Sequence, residues 1–230
     1  MKYKLDSRLL AVADCVPDGA YLADVGTDHA YLPIELALQG KLRGAVASDI
    51  HKGPIESARK NIDEAGLSHL IRTELTDGLA GLEHYPLTDV AIAGMGGMMI
   101  AGILERAPFI RERRIRLILQ PMQHVPELRR TLALAGFRIE KETQTVADGK
   151  FYQILCAVYD GEIRELTDLE ATVGAYNLAH KDENKDNFTL LCRRQLDILS
   201  ERVRGLTRGG HDASVPQRLI EEIEAALSTL

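Results

Sequence analysis

The sequence is poor in the residues that would make it a disulfide scaffold, a metalloprotein or a membrane protein. Its three cysteines, Cys15, Cys156 and Cys192, are odd in number and far apart, which fits neither a disulfide framework nor zinc-ligand spacing. Reduced structural thiols are expected. None of the seven histidines pairs with another at metal-binding helical spacing beside an acidic residue, so no metal site is expected. No apolar run approaches the roughly 18 residues of a membrane span, and Met1–Asp6 lacks the long apolar stretch of a secretory leader. A cytoplasmic protein without a membrane partner is the expectation. Positive charge is also in deficit: a formal net charge of −6 argues against indiscriminate coating of nucleic acid, although a local basic face is compatible with it.

What is present is the composition of a folded protein, 45% hydrophobic and 27% charged over 230 residues, enough for one α/β domain with an appendage or for two small domains. The chain is organised around Ala20–Pro33. An apolar run ends there in Asp24-Val25-Gly26, polar Thr27, Asp28 and His29 follow, and a second apolar segment begins at Tyr31. This is the pattern of a buried strand turning tightly into a helix. Gly26 lets backbone approach a ligand, and Asp24, Asp28 and His29 fall at the strand's carboxyl end, where open α/β sheets bind small molecules. An ordinary polar turn is the competing reading.

Before this stretch, Leu5, Leu9, Val12 and Val16 predict a short amphipathic helix, ended by Pro17-Asp18-Gly19. After it come a helix stopping at Gly40, a strand at Gly44–Ser48 ending in Asp49, and a helix opened by His51-Lys52-Gly53-Pro54. Asp49 lies roughly 20 residues beyond Gly26, where nucleoside-binding folds place the carboxylate that holds ribose hydroxyls. A third strand at Leu70–Leu75 delivers Asp77-Gly78, either an adenine-edge contact or an Asx turn. A fourth, Asp89–Ala93, runs into Gly94-Met95-Gly96-Gly97, poor strand or helix material that implies close backbone approach to a ligand or neighbour. A helix over Met98–Arg106, a strand at Arg116–Leu119 delivering Gln120-Pro121-Met122, and a helix ending at Gly136 follow. Phe137–Val146 and Phe151–Val158 then form a hairpin around Asp148-Gly149. From about Gly161 onward strands disappear, and helical patterns over Leu190–Leu206 and Val215–Leu227 predict two helices folded on each other.

Five strands alternating with helices and closed by a hairpin predict an α/β protein with a seven-stranded doubly wound, Rossmann-like sheet. The terminal hairpin and the missing GxGxxG fingerprint disfavour the main alternative, an NAD-dependent oxidoreductase. Carboxylates at the strand ends would also repel a pyrophosphate. A non-catalytic RNA-binding or coiled-coil protein would leave Asp24, Asp28, Asp49 and Asp77 at strand ends without a use.

The chain resembles the class I S-adenosylmethionine-dependent methyltransferases. More specifically, ADVGTDHAYLP, the Asp49 turn with Gly53-Pro54, IAGMGG at Ile92–Gly97, LILQP at Leu117–Pro121 and GKFYQIL at Gly149–Leu155 resemble the TrmK family of bacterial tRNA adenosine N1-methyltransferases. It departs from that pattern at Thr27, Asp49 and Met122, where the family often has Ser, Glu and Asn; Met122 removes an amide from the substrate side. The resemblance implies S-adenosyl-L-methionine as cofactor, tRNA as partner, and methyl transfer to N1 of an adenosine in the D-loop region; a small-molecule methyltransferase is the alternative within the class. It also implies a cofactor site of Asp24, Gly26, Thr27, Asp49, Ile50, Asp77, Gly78, Gly94 and Met95. Residues 1–160 would be the catalytic domain and 161–230 a helical, coiled-coil-like domain that contacts tRNA. On the substrate side Asp28 is expected to act electrostatically, His29 to orient and Tyr31 to stack on or bond the base; cofactor binding, helix capping and packing are their respective alternatives. The basic residues Arg106, Arg111, Arg113, Arg114, Arg116, Arg129 and Arg130, and in the appendage Lys181, Lys185, Arg193, Arg194, Arg202, Arg204 and Arg208, are candidates for holding phosphates. A monomer is expected.

Overall fold

The computed structural model describes residues 4–230; Met1–Tyr3, the start of the segment expected to lack a leader, lie outside the described residues. The chain begins with helix α1 (Ser7–Ala13), whose N-cap Asp6 accepts a hydrogen bond of 2.7 Å from the Leu9 amide. There follow β1 (Ala20–Val25), α2 (Tyr31–Leu38), β2 (Leu42–Asp49), α3 (Lys52–Glu64), β3 (Ile71–Leu75), β4 (Asp89–Met95), α4 (Gly97–Glu105), the single turn α5 (Phe109–Glu112), β5 (Arg116–Pro121), α6 (Val125–Leu134), β6 (Phe137–Ala147) and β7 (Lys150–Tyr159). The seven strands form one sheet in the order β3-β2-β1-β4-β5-β7-β6. The first five are parallel, and β7 runs antiparallel to both β5 and β6.

After β3 the chain crosses back to place β4 on the other side of β1, so the strand order reverses between these two. Their carboxyl ends flank the crevice in which open α/β sheets take their ligands. Each sheet face buries its own core: Val12, Ile34 and Ile62 from α1, α2 and α3 on one side, Ile100, Ile110 and Leu128 from α4, α5 and α6 on the other. Strand periodicity then aims the polar residues at the crevice. Ala20, Leu22 and Asp24 share one face of β1, as Ile118 and Gln120 do of β5, and that is the face under α1, because Leu22 and Ile118 pack in its core.

The glycines after β4 do not stop the strand, which continues to Met95. Gly94, at φ +82°, forms an irregularity in its register with β5. Beyond it the Gly97 amide donates to the Gln123 carbonyl at 2.8 Å, and a Cβ on Gly97 would lie 2.4 Å from the His124 carbonyl oxygen. The close approach read from the sequence is therefore backbone against backbone at Gly97.

Residues beyond β7 form α7 (Asp168–Val173), α8 (Ala175–Ala179), α9 (Lys185–Arg208) and α10 (Ser214–Ser228). Thr167 and Glu170 close a capping box at the start of α7. The 24-residue α9 pairs with α10; Lys185 at its start reaches the Leu230 carbonyl, so the two helices run antiparallel. Their core joins Phe188, Leu191, Leu199, Leu219 and Ile223 to Val173, with Phe151 of β7 packed against it. No helix among the described residues is long and apolar enough to cross a membrane.

Candidate active site

Two cavities open at the carboxyl ends of the strands and meet at Gly26. The larger, about 460 Å³, lies between the β2 and β3 ends and α4; Gly26, Asp49, Ile50, Asp77, Gly78 and Met95 line it, together with Met98, Met99, Ile103 and Arg106. The smaller, about 230 Å³, lies on the α1 side and is lined by Asp24, Gly26, Thr27, Asp28, His29, Tyr31 and Arg8. All but one of the residues expected to bind cofactor or act on the substrate base border one of these spaces. The exception is Gly94, whose exposed backbone sits between Ala93 and Met95, one in the wall of each cavity. A further cavity of about 490 Å³ between α4 and α6 is lined mainly by apolar side chains such as Leu104, Leu128 and Phe137, and holds none of the strand-end carboxylates.

Gly26 adopts φ +78°, and a Cβ there would lie 2.2 Å from the Met95 Cε. The positive φ favours glycine, and any Cβ there would displace the end of the Met95 side chain. Its amide and that of Thr27 donate to the Ser48 carbonyl at 2.8 and 2.9 Å, which ties the turn to the end of β2. The Thr27 hydroxyl accepts from the Ala30 amide at 3.0 Å and hydrogen-bonds the Asp24 carboxyl. Thr27 is buried, and its side chain braces the turn and orients Asp24. His29 does not cap α2: its N-cap is Ala30, in a left-handed conformation and without a side-chain cap hydrogen bond.

Asp24 is 8% exposed. Burial pushes its carboxyl up to about 6, against the opposing effects of the Thr27 hydrogen bond and the nearby Arg8 guanidinium. Asp28 is exposed and stands 3.2 Å from His29 Nε2, while the His29 ring stacks on Tyr31 with centroids 5.1 Å apart and 21° between planes. These three therefore form one contiguous group. Asp49 accepts from the backbone amide and Nδ1 of His51 at 2.7 and 3.1 Å, which fixes its carboxylate at the cavity mouth. Asp77 pairs with Arg106 across the same cavity, at 3.3 and 3.4 Å to its two oxygens.

Sequence reasoning passed over two side chains. Gln120, fully buried, accepts at Oε1 from Arg8 Nη1 at 2.9 Å and from the Gly94 amide at 3.1 Å, and donates to the Pro121 carbonyl at 3.0 Å. Its position at the end of a buried strand was a usable signal. Arg8 carried none, because only the packing of α1 over the sheet brings it to the crevice. Met122, exposed beside them, has its sulfur 3.6 Å from Gln120 Nε2. Arg129 must be removed from the phosphate-binding candidates: it is fully buried and paired with Glu142. Arg130 donates to the Leu166 carbonyl and Asp168, Arg113 to the Tyr85 carbonyl, and Arg116 to Glu140.

The cavity beside Gly26 fits S-adenosyl-L-methionine by size and donor set. It falls in the range of about 300 to 1,000 Å³ usual for small-ligand sites, it offers the carboxylates of Asp49 and Asp77 beside apolar Ile50, Met95 and Ile103, and Gly26 keeps its backbone free of a side chain. No phosphate-binding glycine fingerprint follows β1.

Residues 5–155 match the family described as a methyltransferase domain. The chain is 39% identical over 165 residues to the tRNA (adenine(22)-N(1))-methyltransferase of Bacillus subtilis (strain 168), covering 69% of each. A Streptococcus pneumoniae protein solved in complex with S-adenosyl-L-methionine superposes with a TM-score of 0.84 at 34% identity, over 97% of this chain and 100% of that one. TrmK of M. capricolum, solved with the cofactor product S-adenosyl-homocysteine, gives a TM-score of 0.81 at 25% identity over 97% and 98% of the two chains.

Proposed function

The chain belongs to the tRNA (adenine(22)-N(1))-methyltransferase family, and we propose that it performs this reaction with the residues gathered on the two sides of Gly26. It is an S-adenosylmethionine-dependent enzyme that methylates tRNA; the oxidoreductase alternative is set aside, since the relatives are methyltransferases and the sheet ends in an antiparallel hairpin. The observation that carries the assignment of residues is the meeting of the two cavities at a glycine, with carboxylates on both sides.

Bound S-adenosyl-L-methionine supplies an electrophilic methyl group on a positively charged sulfur. On the cofactor side, Asp49 would hold the ribose hydroxyls, Asp77 and Gly78 the adenine edge, and Ile50, Met95 and Ile103 its faces. Asp24 would hold the amino group of the methionine portion. Gly26 keeps the passage to the second cavity free of a side chain.

On the other side, His29 and Tyr31 present a stacked pair against which a flipped adenine can rest, in line with how base-modifying enzymes hold an extruded base. N1 of adenine carries an in-plane lone pair, so no strong base is needed and positioning dominates, with the reacting atoms brought to roughly 3 to 3.5 Å. The base gains positive charge as its new bond forms. Asp28, exposed beside His29, offsets that charge or accepts a proton from the exocyclic amine. The exposed arginines of α9 would hold the tRNA backbone.

The test is to incubate unmodified tRNA with methyl-labelled S-adenosylmethionine and map the label. Methylation at N1 of an adenosine in the D-loop region is expected; label on N6, or none on RNA, rejects the assignment. In Asp28→Asn, slow transfer with normal cofactor affinity supports the substrate-side role, and lost cofactor binding moves Asp28 to the other side.

A further inference from the structure

Among the described residues, Arg8 is the only lysine or arginine lining the smaller cavity. It reaches there from α1, outside the βα units that build the sheet, and its side chain remains 21% exposed. One edge of its guanidinium is fixed: Nη1 donates to the fully buried Gln120, whose Oε1 is also held by the Gly94 amide. Gly94 lies directly alongside, since a Cβ on it would be 3.6 Å from Arg8 Nη1. The ring of Tyr152, from the start of β7, lies 6.0 Å from the guanidinium carbon. On the outer edge Asp6 forms an ion pair with Nη2 at 3.8 Å, longer than a hydrogen bond.

Among the described residues this is a pre-positioned cation whose hydrogen-bond acceptor is Gln120 and whose ion pair with Asp6 is long. A guanidinium has five N–H groups in a rigid fork, and Gln120 takes one of them. Its charge is of no use to the base, which itself becomes cationic on methylation. It suits an anion, and the anion that accompanies a flipped nucleotide into the pocket is its own phosphate.

Resting on the methyltransferase reading above, we propose that Arg8, aimed by Gln120, binds a backbone phosphate of the nucleotide whose base is methylated. Arg8 is thereby a substrate-binding residue and Gln120 a positioning residue. The arrangement couples entry of the target nucleotide to the wall of the crevice that Asp24 and Gly94 also form.

The experiment compares the wild-type chain with Arg8→Met, which keeps much of the buried stem, and Arg8→Lys, which keeps the charge. Affinity for full-length tRNA is measured at several salt concentrations, and affinity for S-adenosylmethionine by calorimetry. Arg8→Met is expected to weaken tRNA binding roughly tenfold at low salt, as loss of one charged hydrogen bond implies. It should also lower the slope of log K against log salt by about one, with cofactor affinity unchanged. Arg8→Lys should restore the slope. An unchanged slope in Arg8→Met overturns the proposal. So does a loss of cofactor affinity, which would make the cofactor's carboxylate, or the stability of the Asp24 wall, the object of the charge. Wild-type protein that does not methylate N1 defeats the underlying reading instead, and is distinguished from failure of the proposal by the salt slopes.

Discussion

Arg129 and Glu142, both fully buried, hold each other by two hydrogen bonds of 3.1 and 2.7 Å between α6 and β6. The remaining donors of Arg129 reach the Ala171 and Thr172 carbonyls and Gln153 Oε1, and Asn177 donates to Glu142. The pair thus ties α7 and α8 to the end of the sheet. A buried pair of this kind has its desolvation offset only while every partner is present. Glu142→Ala should lower the free energy of unfolding by roughly 3 to 5 kcal/mol, whereas replacing Arg129 and Glu142 together by apolar residues should cost far less. Urea titrations of the single and double variants check this; equal losses in both would show that the pair acts through packing alone.

Much of the architecture was legible because the sheet's periodicity is strong. The strands that are buried on both faces, the Asp-Gly hairpin turn and the amphipathic α9 and α10 each carry a local signal. So did the strand-end carboxylates, which strand periodicity and the reversal of strand order place at the crevice. The illegible parts depend on residues distant in sequence. Nothing near Arg129 distinguishes it from the partly exposed Arg130, because its burial is made by Glu142, Gln153 and the carbonyls of α7. Arg8 and Gln120 are 112 positions apart and meet only through the packing of α1. The continuation of β4 through Gly94 was equally hidden, since a positive φ inside a strand is supported there by the bond that the Gly94 amide donates to Gln120.

Gly26 should tolerate alanine poorly for two separable reasons. Its positive φ costs a residue with a Cβ about 1 to 2 kcal/mol, and the added methyl meets Met95 Cε at 2.2 Å. Met95 is a flexible side chain and can swing, and it lines the larger cavity. Gly26→Ala is therefore expected to lose cofactor affinity out of proportion to its loss of stability, and Met95→Ala added to it should recover part of the affinity but none of the backbone cost. Calorimetry and thermal unfolding of the two variants separate the effects; full recovery in the double variant would remove the backbone term.

Asp24 makes the protein's pH response asymmetric. Its carboxyl titrates at about 6 in the folded chain, raised by burial, so the unfolded chain loses this proton first as pH rises. The stability it contributes is complete below the unfolded value of about 4 and is lost as pH rises through about 6, a change of about 3 kcal/mol. Binding to the cofactor's ammonium runs the opposite way, since it needs the carboxylate. Cofactor affinity should rise with pH up to about 6 and then level off, and Asp24→Asn should flatten the pH dependence of both quantities. A wild-type affinity that is level from pH 5 to 7 would contradict this role.

The exposed arginines of α9 are not randomly distributed. Four of the five, Arg193, Arg194, Arg204 and Arg208, fall within about 100° of one another on the helix, on the side opposite buried Leu199, while Arg202 lies outside this sector. Arg204 is paired with Glu201. Arg193, Arg194 and Arg208 project from a surface whose removal of charge leaves the core of α9 and α10 intact. Their combined replacement by alanine should weaken tRNA binding, with the salt slope falling by nearly one for each phosphate no longer neutralised, while cofactor affinity and melting temperature stay close to wild type. Because Asp197 lies among them on the same face, Asp197→Asn should act in the opposite direction and tighten binding at low salt. If the triple variant binds tRNA with the wild-type slope, the phosphates are held elsewhere and α9 is a solvated face.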